Sequence, residues 1–259
     1  MSRSFVATNS EAFTCADPIS SAPLSISCWV YIPTAIPSGD DCFVQIANTS
    51  VTNNYFRLGV ADQSNSPTDA LRFVTYSGSG SFSLAEAVTS NSMSADTWQH
   101  CCAIEESSTS RISVLNGDWA NRGTNSGGNE VPTSINQMAV GWENDSSPAD
   151  YLTGHLAHVA IWNVALTQGE AEALSKGYSP LLIRPGSLIF YAPLNRDSGD
   201  EYDLIGGLTL TDVNTVGTGT TEPRTIHPYS QQIFMSAAAG GVSQLAGQFG
   251  GQFVGQFGV

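Results

Sequence analysis

Acidic residues in turn-like segments are the side chains of this sequence best suited to chemistry. Hard cations such as calcium need several carboxylate and carbonyl oxygens together, and two acidic segments could supply them. The candidate calcium ligands are Asp40, Asp41, Glu143, Asp145 and Asp150. Their spacing differs from that of an EF-hand loop, and in a chain with 23 acidic residues any acidic loop would look similar. Solvated acids are therefore the preferred interpretation, and calcium is the one cofactor that the sequence suggests.

Three aromatic side chains are the candidate ligand-binding residues. Trp29 and Tyr31 lie in residues 24–32, where apolar residues alternate with serines and these two aromatics. This period of two predicts a strand whose apolar face lies in the core. Its other face is either a solvated sheet face, which is preferred, or a shallow platform for a ligand. Trp142, at the end of a strand predicted for residues 135–142, is the third candidate.

The five cysteines are an odd number in a chain of 259 residues. Cys28, Cys101 and Cys102 stand in strand-like runs, which favours buried, reduced thiols over a disulfide framework or a metal site. Because Cys101 and Cys102 are adjacent, their side chains are expected on opposite faces of a strand. No Cys/His pair has the spacing of a zinc finger.

Short strand-like runs separated by turn residues fill most of the chain as far as residue 162. Residues 156–162 are almost all apolar, as expected for a strand that is covered on both faces. Thr167 and Glu170 then form a capping-box pattern, which predicts a short helix over 167–176 that Gly177 closes. The pattern is that of an all-β protein with one helix.

An ordered set of motifs across residues 4–176 resembles the laminin G-like, concanavalin A-like lectin/glucanase family. The motifs are Ser25-Ile-Ser-Cys-Trp-Val30, Trp98-x-His100, Asn116-Gly117, Ala139-Val-Gly141, Gly154-x-Leu-x-x-Val-x-Ile-Trp162, Ala165-Leu-Thr167 and Glu170. The resemblance implies two curved antiparallel sheets packed face to face, and many members of the family hold calcium in rim loops. The predicted fold is therefore an all-β, two-sheet antiparallel jelly-roll sandwich (concanavalin A-like) with one short helix and a C-terminal extension.

The carboxylates do not fit the catalytic pattern of this family. Jelly-roll glucanases carry Glu-x-Asp-x-(x)-Glu on one strand, because glycoside hydrolysis needs two carboxylates across the scissile bond. The closest string, residues 143–148, lacks the second glutamate and lies where a loop is predicted. No Gly-x-Ser-x-Gly motif accompanies His100, His155, His158 or His227, which are expected to be structural. The sequence thus predicts a protein that is not an enzyme.

The C-terminal third carries two strand-like segments that open the chain in other members of the resembled family. Residues 188–195 and 203–210 look like those opening strands, and we expect residues 188–210 to complete the sandwich, giving a domain over 1–212. The alternative is a truncated second repeat, which would leave an apolar face uncovered. Residues 213–230 read as a Thr/Gly/Pro-rich connector.

Residues 231–259 carry little charge and end in a Gly-Gln-Phe repeat. Phe249, Phe253 and Phe257 recur at a spacing of four, which is unusual for a tail that stays in water. We interpret the segment as a Gly/Gln/Phe-rich assembly arm that docks on another subunit or another protein, with a disordered low-complexity tail as the alternative.

A net charge of −14, from 23 acidic and nine basic residues, makes nucleic acid and membranes poor partners. The N-terminal segment has no apolar run typical of a secretory signal. Proteins of phages and environmental bacteria that carry this jelly roll begin in a similar way. We therefore expect a non-catalytic virion surface or decoration protein of a bacteriophage capsid or tail, made in the host cytoplasm, partnered by itself and other virion proteins, and binding glycans. A glycoside hydrolase and a bacterial carbohydrate-binding or adhesion module are the alternatives.

Overall fold

Two antiparallel sheets form the body of the protein, as the sequence predicted. The computed structural model describes residues 1–33, 40–61, 67–78, 84–128 and 130–227. The strands are β1 (Ser2–Phe5), β2 (Ala12–Ala16), β3 (Leu24–Tyr31), β4 (Cys42–Ala47), β5 (Asn54–Val60), β6 (Ala70–Ser77), β7 (Leu84–Ser92), β8 (Trp98–Ser107), β9 (Ser110–Leu115), β10 (Gly123–Asn125), β11 (Gln137–Val140), β12 (Gly154–Trp162), β13 (Leu188–Ala192), β14 (Glu201–Tyr202), β15 (Thr209–Val213) and β16 (Gly217–Gly219).

Each sheet contains eight strands. Sheet 1 has the order β10-β9-β8-β3-β12-β1-β16, and β13 pairs with β12 beside β1. Sheet 2 has the order β14-β15-β2-β11-β4-β5-β6-β7. All of these pairs are antiparallel, which confirms the predicted two-sheet sandwich.

The main core lies between the two sheets. The apolar set of β3 and its continuation, Leu24, Ile26, Cys28, Val30 and Ile32, is buried there as its period of two predicts. Burying one such side chain stabilises the fold by about 1.5–3 kcal/mol. The facing side chains of sheet 2 include Phe43, Phe56, Leu58 and Phe73.

A second apolar cluster covers part of the outer face of sheet 1. The helix α1 (Gln168–Ser175), the one α-helix among the described residues, sets Ala171 and Leu174 against Trp162 of β12 and Ile104 of β8. Strand β12 is therefore covered on both of its faces, as its nearly continuous apolar sequence predicted. The predicted capping box is also present, since a carboxylate oxygen of Glu170 accepts the backbone N–H of Thr167 at 2.7 Å.

The C-terminal segment contributes strands to both sheets. In sheet 1, β13 pairs with β12 and β16 pairs with β1, while in sheet 2 β15 pairs with β2. Paired strands thus continue to Gly219, beyond residue 212, where the sequence placed the end of the sandwich. Residues 1–225 form one compact unit and residues 226–259 a separate one, of which the structure describes only Ile226 and His227. The predicted assembly residues Phe249, Phe253 and Phe257 lie outside the described residues.

Arg3 joins the first strand to the C-terminal segment. Its guanidinium is fully buried and donates to the carbonyl oxygens of Gly199, Val216 and Gly217 at 2.6–3.1 Å. It also forms an ion pair with Glu201 at 3.0 Å. No described helix is long and apolar enough to cross a membrane.

We expect Arg3→Ala to lower the free energy of unfolding by roughly 3–5 kcal/mol, because it leaves a buried carboxylate and several carbonyls without their donor. The exposed Arg224→Ala, from the same C-terminal segment, should change it by less than about 0.5 kcal/mol. Urea denaturation followed by circular dichroism measures both. A loss below about 1 kcal/mol for Arg3→Ala would show that the two ends are held by the strand pairing alone.

Candidate functional site

Two arginines gather most of the predicted acidic ligands on the outer face of sheet 2. Arg57 of β5 pairs with Glu143, and with Asp150 at 2.8 Å. Arg72 of the neighbouring strand β6 pairs with Asp40 and Glu86, each at 2.8 Å. We call these residues, together with Asp41, the arginine cluster: Arg57, Arg72, Asp40, Asp41, Glu86, Glu143 and Asp150.

Backbone geometry brings the segments of the cluster close together. The carbonyl oxygen of Asp41 accepts the N–H of Val60 at 2.9 Å, and the carbonyl oxygen of Asp150 accepts the N–H of Cys42 at 3.0 Å. A side chain at Gly59 would collide with the Asp41 carbonyl, so the close approach of these segments needs glycine there.

The structure places three of the five calcium candidates against guanidinium groups. Glu143 and Asp150 bind Arg57, and Asp40 binds Arg72, so these carboxylates already face a cation. Asp145 instead accepts the backbone N–H groups of Asn53 at 3.0 Å and Ser147 at 2.6 Å. Within the described ranges, no three His, Cys, Asp or Glu side chains are arranged to hold a metal ion. The cluster is therefore an ion-pair network.

Burial raises the pKa of two carboxyl groups of the cluster. It raises the pKa of Asp41 to about 7, with a further contribution from Asp150, while Arg57 opposes the shift. Burial likewise raises the pKa of Glu143 to about 7 against the opposing charge of Arg57. Oδ2 of Asp41 is buried and has no hydrogen-bond partner among the described residues. Near pH 7 each of these two carboxyl groups is therefore protonated part of the time, whereas an exposed carboxyl group would be ionised.

A group of partly exposed rings lies on the outer face of sheet 1. Tyr31 of β3 stands opposite Trp98 of β8 on one side and His155 of β12 on the other. The ring centroids are 5.8 Å apart for Tyr31 and Trp98, 5.4 Å for Tyr31 and His155, and 6.5 Å for Trp98 and His155. Trp29, two residues before Tyr31, packs at 5.4 Å on His100. We call Trp29, Tyr31, Trp98 and His155 the aromatic face.

Polar groups border the aromatic face. The Tyr31 hydroxyl donates to Asp96 at 3.4 Å, and the Trp98 indole N–H donates to the hydroxyl of Thr221 at 3.2 Å. Burial lowers the pKa of His155, so its imidazole is neutral at pH 7. Flat rings with hydrogen-bonding groups at their edges suit a ligand that has both an apolar face and hydroxyl groups.

The structure separates the third candidate ligand residue from the other two. Trp142 packs on Tyr151 with their ring centroids 5.2 Å apart, on the segment that follows β11. Trp29 and Tyr31 instead share their face with Trp98 and His155, which no sequence pattern marked as ligand residues. The missing signal was the pairing of β3 with β8 and β12, because only the register places these side chains next to one another.

His100 makes one contact that resembles a nucleophile and its base. Its Nε2 lies 2.8 Å from the hydroxyl oxygen of Ser27. Both residues are buried, burial lowers the pKa of His100 to about 3, and Nδ1 has no partner among the described residues. The pair thus lacks the third group that orients a catalytic histidine, and it lies beneath the sheet surface.

Comparison with known proteins gives one family and several solved structures. The family model described as Concanavalin A-like lectin/glucanases superfamily matches residues 6–172. A search of the curated proteins found no match. A candidate carbohydrate-binding protein from Bacteroides ovatus matches with a TM-score of 0.57 and 13% identity, over 85% of this chain and 60% of that chain. This chain therefore spans less than two thirds of that protein's length.

Two further solved structures are similar at a lower level. The tailspike protein 2 enzymatically active domain of bacteriophage CBA120 matches with a TM-score of 0.49 and 12% identity, over 75% of this chain and 31% of that chain. Domain 4 of AbnA, an extracellular arabinanase from Geobacillus stearothermophilus solved with arabinotriose, has a TM-score of 0.45 and 19% identity, over 61% and 68% of the two chains.

We expect the stability of the protein to fall as the pH rises through 7, because the folded state holds a proton on Asp41 that the unfolded state loses near pH ~4. The contribution of this group is fully present below pH ~4 and absent above its folded pKa. Asp41→Asn, which keeps the shape and removes the charge, should therefore raise the free energy of unfolding at pH 8 by about 1–3 kcal/mol and change it little at pH 4.

Urea denaturation at the two pH values measures this difference. The exposed Asp197→Asn serves as the control and should have the same small effect at both. A loss of stability in Asp41→Asn at pH 8 would mean that the network needs the charge of Asp41.

Proposed function

Because the chain belongs to the concanavalin A-like lectin/glucanases superfamily, we propose that it is a non-catalytic glycan-binding protein. The observation that carries this proposal is the aromatic face, where Tyr31, Trp98 and His155 form a partly exposed surface with polar edges. The candidate carbohydrate-binding protein from Bacteroides ovatus, similar in fold, supports the same class of ligand.

Stacking is the main interaction in the proposed binding mode. The C–H groups on one face of a sugar ring lie against an aromatic side chain, and the ring hydroxyls reach the groups at its edge. Tyr31 and Trp98 supply the rings, while Asp96 and Thr221 supply an acceptor and a hydroxyl. A shallow surface of this kind buries less of its ligand than an enclosed pocket does, so each site binds weakly. Several copies of the site presented together would raise the overall affinity.

The proposal extends to the location of the protein, on the surface of a phage particle. We propose that the protein is a surface or decoration protein of a capsid or tail, assembled in the host cytoplasm, with itself and other virion proteins as partners. The resemblance of its sequence to phage proteins with this jelly roll supports it, as does its single lysine and −14 net charge, which disfavour adhesion to nucleic acid during assembly. A bacterial carbohydrate-binding or adhesion module would use the same aromatic face.

The segment 231–259 is the proposed assembly arm, which would attach the protein to another subunit or to another virion protein. Burial of each of its phenylalanines would contribute about 1.5–3 kcal/mol to the free energy of docking. These residues are Phe249, Phe253 and Phe257. Ordering a glycine-rich backbone costs about 1–2 kcal/mol per residue, so a partner surface is needed to make docking favourable.

We expect Tyr31→Ala and Trp98→Ala each to weaken glycan binding about 5- to 13-fold, since each removes one stacking surface, worth roughly 1–1.5 kcal/mol. Isothermal titration with a ligand found by a glycan array screen measures the loss. Tyr202→Ala, which removes an exposed ring elsewhere on the protein, is the matched control and should bind normally.

Two results would oppose this assignment. If Trp142→Phe abolishes binding while Tyr31→Ala does not, the ligand binds beside the 142–151 segment instead. If the protein releases reducing ends from a polysaccharide and Glu143→Gln stops the release, the alternative of a jelly-roll glycoside hydrolase replaces the proposal, and the raised pKa of Glu143 would suit its general acid.

Deleting residues 231–259 should leave the melting temperature of the sandwich within a few degrees while abolishing oligomer formation or attachment to the particle. Differential scanning calorimetry and sedimentation velocity measure the two effects. Unfolding of the truncated protein would mean that the phenylalanines belong to the sandwich core, and unchanged assembly would reduce the segment to a tail.

A further inference from the structure

Two of the free cysteines face each other across adjacent strands. Cys28 of β3 and Cys101 of β8 are direct partners in the antiparallel register. Both belong to the core between the sheets, and both are 0% exposed. The register between the two strands runs without a shift from the pair Leu24 and Glu105 to the pair Tyr31 and Trp98, so the thiols are held opposite each other by regular sheet on both sides.

This arrangement matches the backbone geometry of a disulfide. Directly opposed residues of antiparallel strands have their Cα atoms about 4.5 or 5.5 Å apart, depending on the pair type. Disulfides join residues whose Cα atoms are about 4.4–6.8 Å apart. The Cα separation of such a pair therefore allows a disulfide while the strands keep their register.

We propose that Cys28 and Cys101 form a cross-strand disulfide when the protein enters oxidising surroundings. A small-molecule disulfide such as oxidised glutathione is the oxidant. One protein thiolate attacks it, forming a mixed disulfide and releasing one glutathione. The second protein thiolate then attacks the protein sulfur of that mixed disulfide and releases the second glutathione. The two protein thiols lose two electrons and two protons, and the oxidant becomes two thiols.

The other cysteines are not placed to compete. Cys102 follows Cys101 in β8 but points to the opposite face, where it packs in the cluster under α1. Cys42 belongs to sheet 2, beside Arg57. Cys15 lies in β2 of the same sheet, which places it across the core rather than beside β3. The bond should therefore form at one pair only.

Burial makes closure of the bond slow in the folded protein. It raises the pKa of Cys101 well above its ordinary value, so the reactive thiolate is rare. The oxidant also has no direct path to side chains that are fully covered. The protein thus keeps both thiols in a reducing cytosol and closes the bond outside it through rare opening of the sheets. Once formed, the bond closes a long loop of the chain, which restricts the unfolded state.

The test uses the full-length chain, reduced and then held in a buffer of oxidised and reduced glutathione with sub-denaturing urea. After acid quenching and denaturation, alkylation and mass spectrometry count the free thiols. We expect three alkylated cysteines instead of five, and a melting temperature higher by roughly 5–10 °C in the oxidised protein. Fragmentation of the digested wild-type protein should identify a peptide that joins Cys28 to Cys101.

The variants make the assignment specific. Cys28→Ala and Cys101→Ala should retain all of their remaining thiols and lose the rise in melting temperature, whereas Cys102→Ala should behave like the wild type. The cross-linked peptide of the wild-type protein keeps the test valid if a variant folds poorly. Five free thiols after oxidation, a bond that includes Cys102, or a bond between two copies would each overturn the proposal.

Discussion

The buried guanidinium of Arg3 is the constraint on which the closure of the sandwich depends. A fully buried arginine has five N–H donors that must all find acceptors, since each unpaired donor costs about 1–3 kcal/mol. The acceptors come from Gly199, Glu201, Val216 and Gly217, all in the C-terminal segment. Strand β1 can therefore be buried only when that segment is in place, and this couples β16 and the turn before β14 to the first residues of the chain.

This coupling explains why the C-terminal segment belongs to the sandwich. Strand β16 consists of Gly217, Thr218 and Gly219, a sequence with low β-propensity. It is held by pairing with β1 and by the hydrogen bonds of Arg3 to the preceding carbonyls. Contacts between distant parts of the chain override local propensity here, which is why a Thr/Gly-rich connector was the reasonable expectation from sequence.

Local sequence patterns predicted the strands and the helix cap, which depend on neighbouring residues. They did not predict which side chains from distant parts of the chain lie together. The alternation in β3, the apolar run of β12 and the capping box at Thr167 each follow from a few consecutive residues, and the structure contains all three. The grouping of Tyr31, Trp98 and His155 depends on the register of three strands. The partners of Arg57 likewise come from separate loops, so acidic turns that suggested calcium in the sequence surround guanidinium groups in the fold.

The outer faces of the two sheets therefore differ in chemistry. That of sheet 2 carries ion pairs, and that of sheet 1 carries aromatic rings. Three of the nine basic residues, Arg3, Arg57 and Arg111, are buried and neutralise acids inside the fold. With a net charge of −14 the molecule carries a negative field, which repels polyanions within about one Debye length, roughly 8–10 Å at physiological ionic strength. The recognition proposed for the aromatic face then rests on ring contacts and hydrogen bonds at close range, because the negative field gives no long-range attraction for an acidic ligand. The same field keeps separate copies apart, so any assembly of this protein must gain its energy from apolar contact rather than from surface charge.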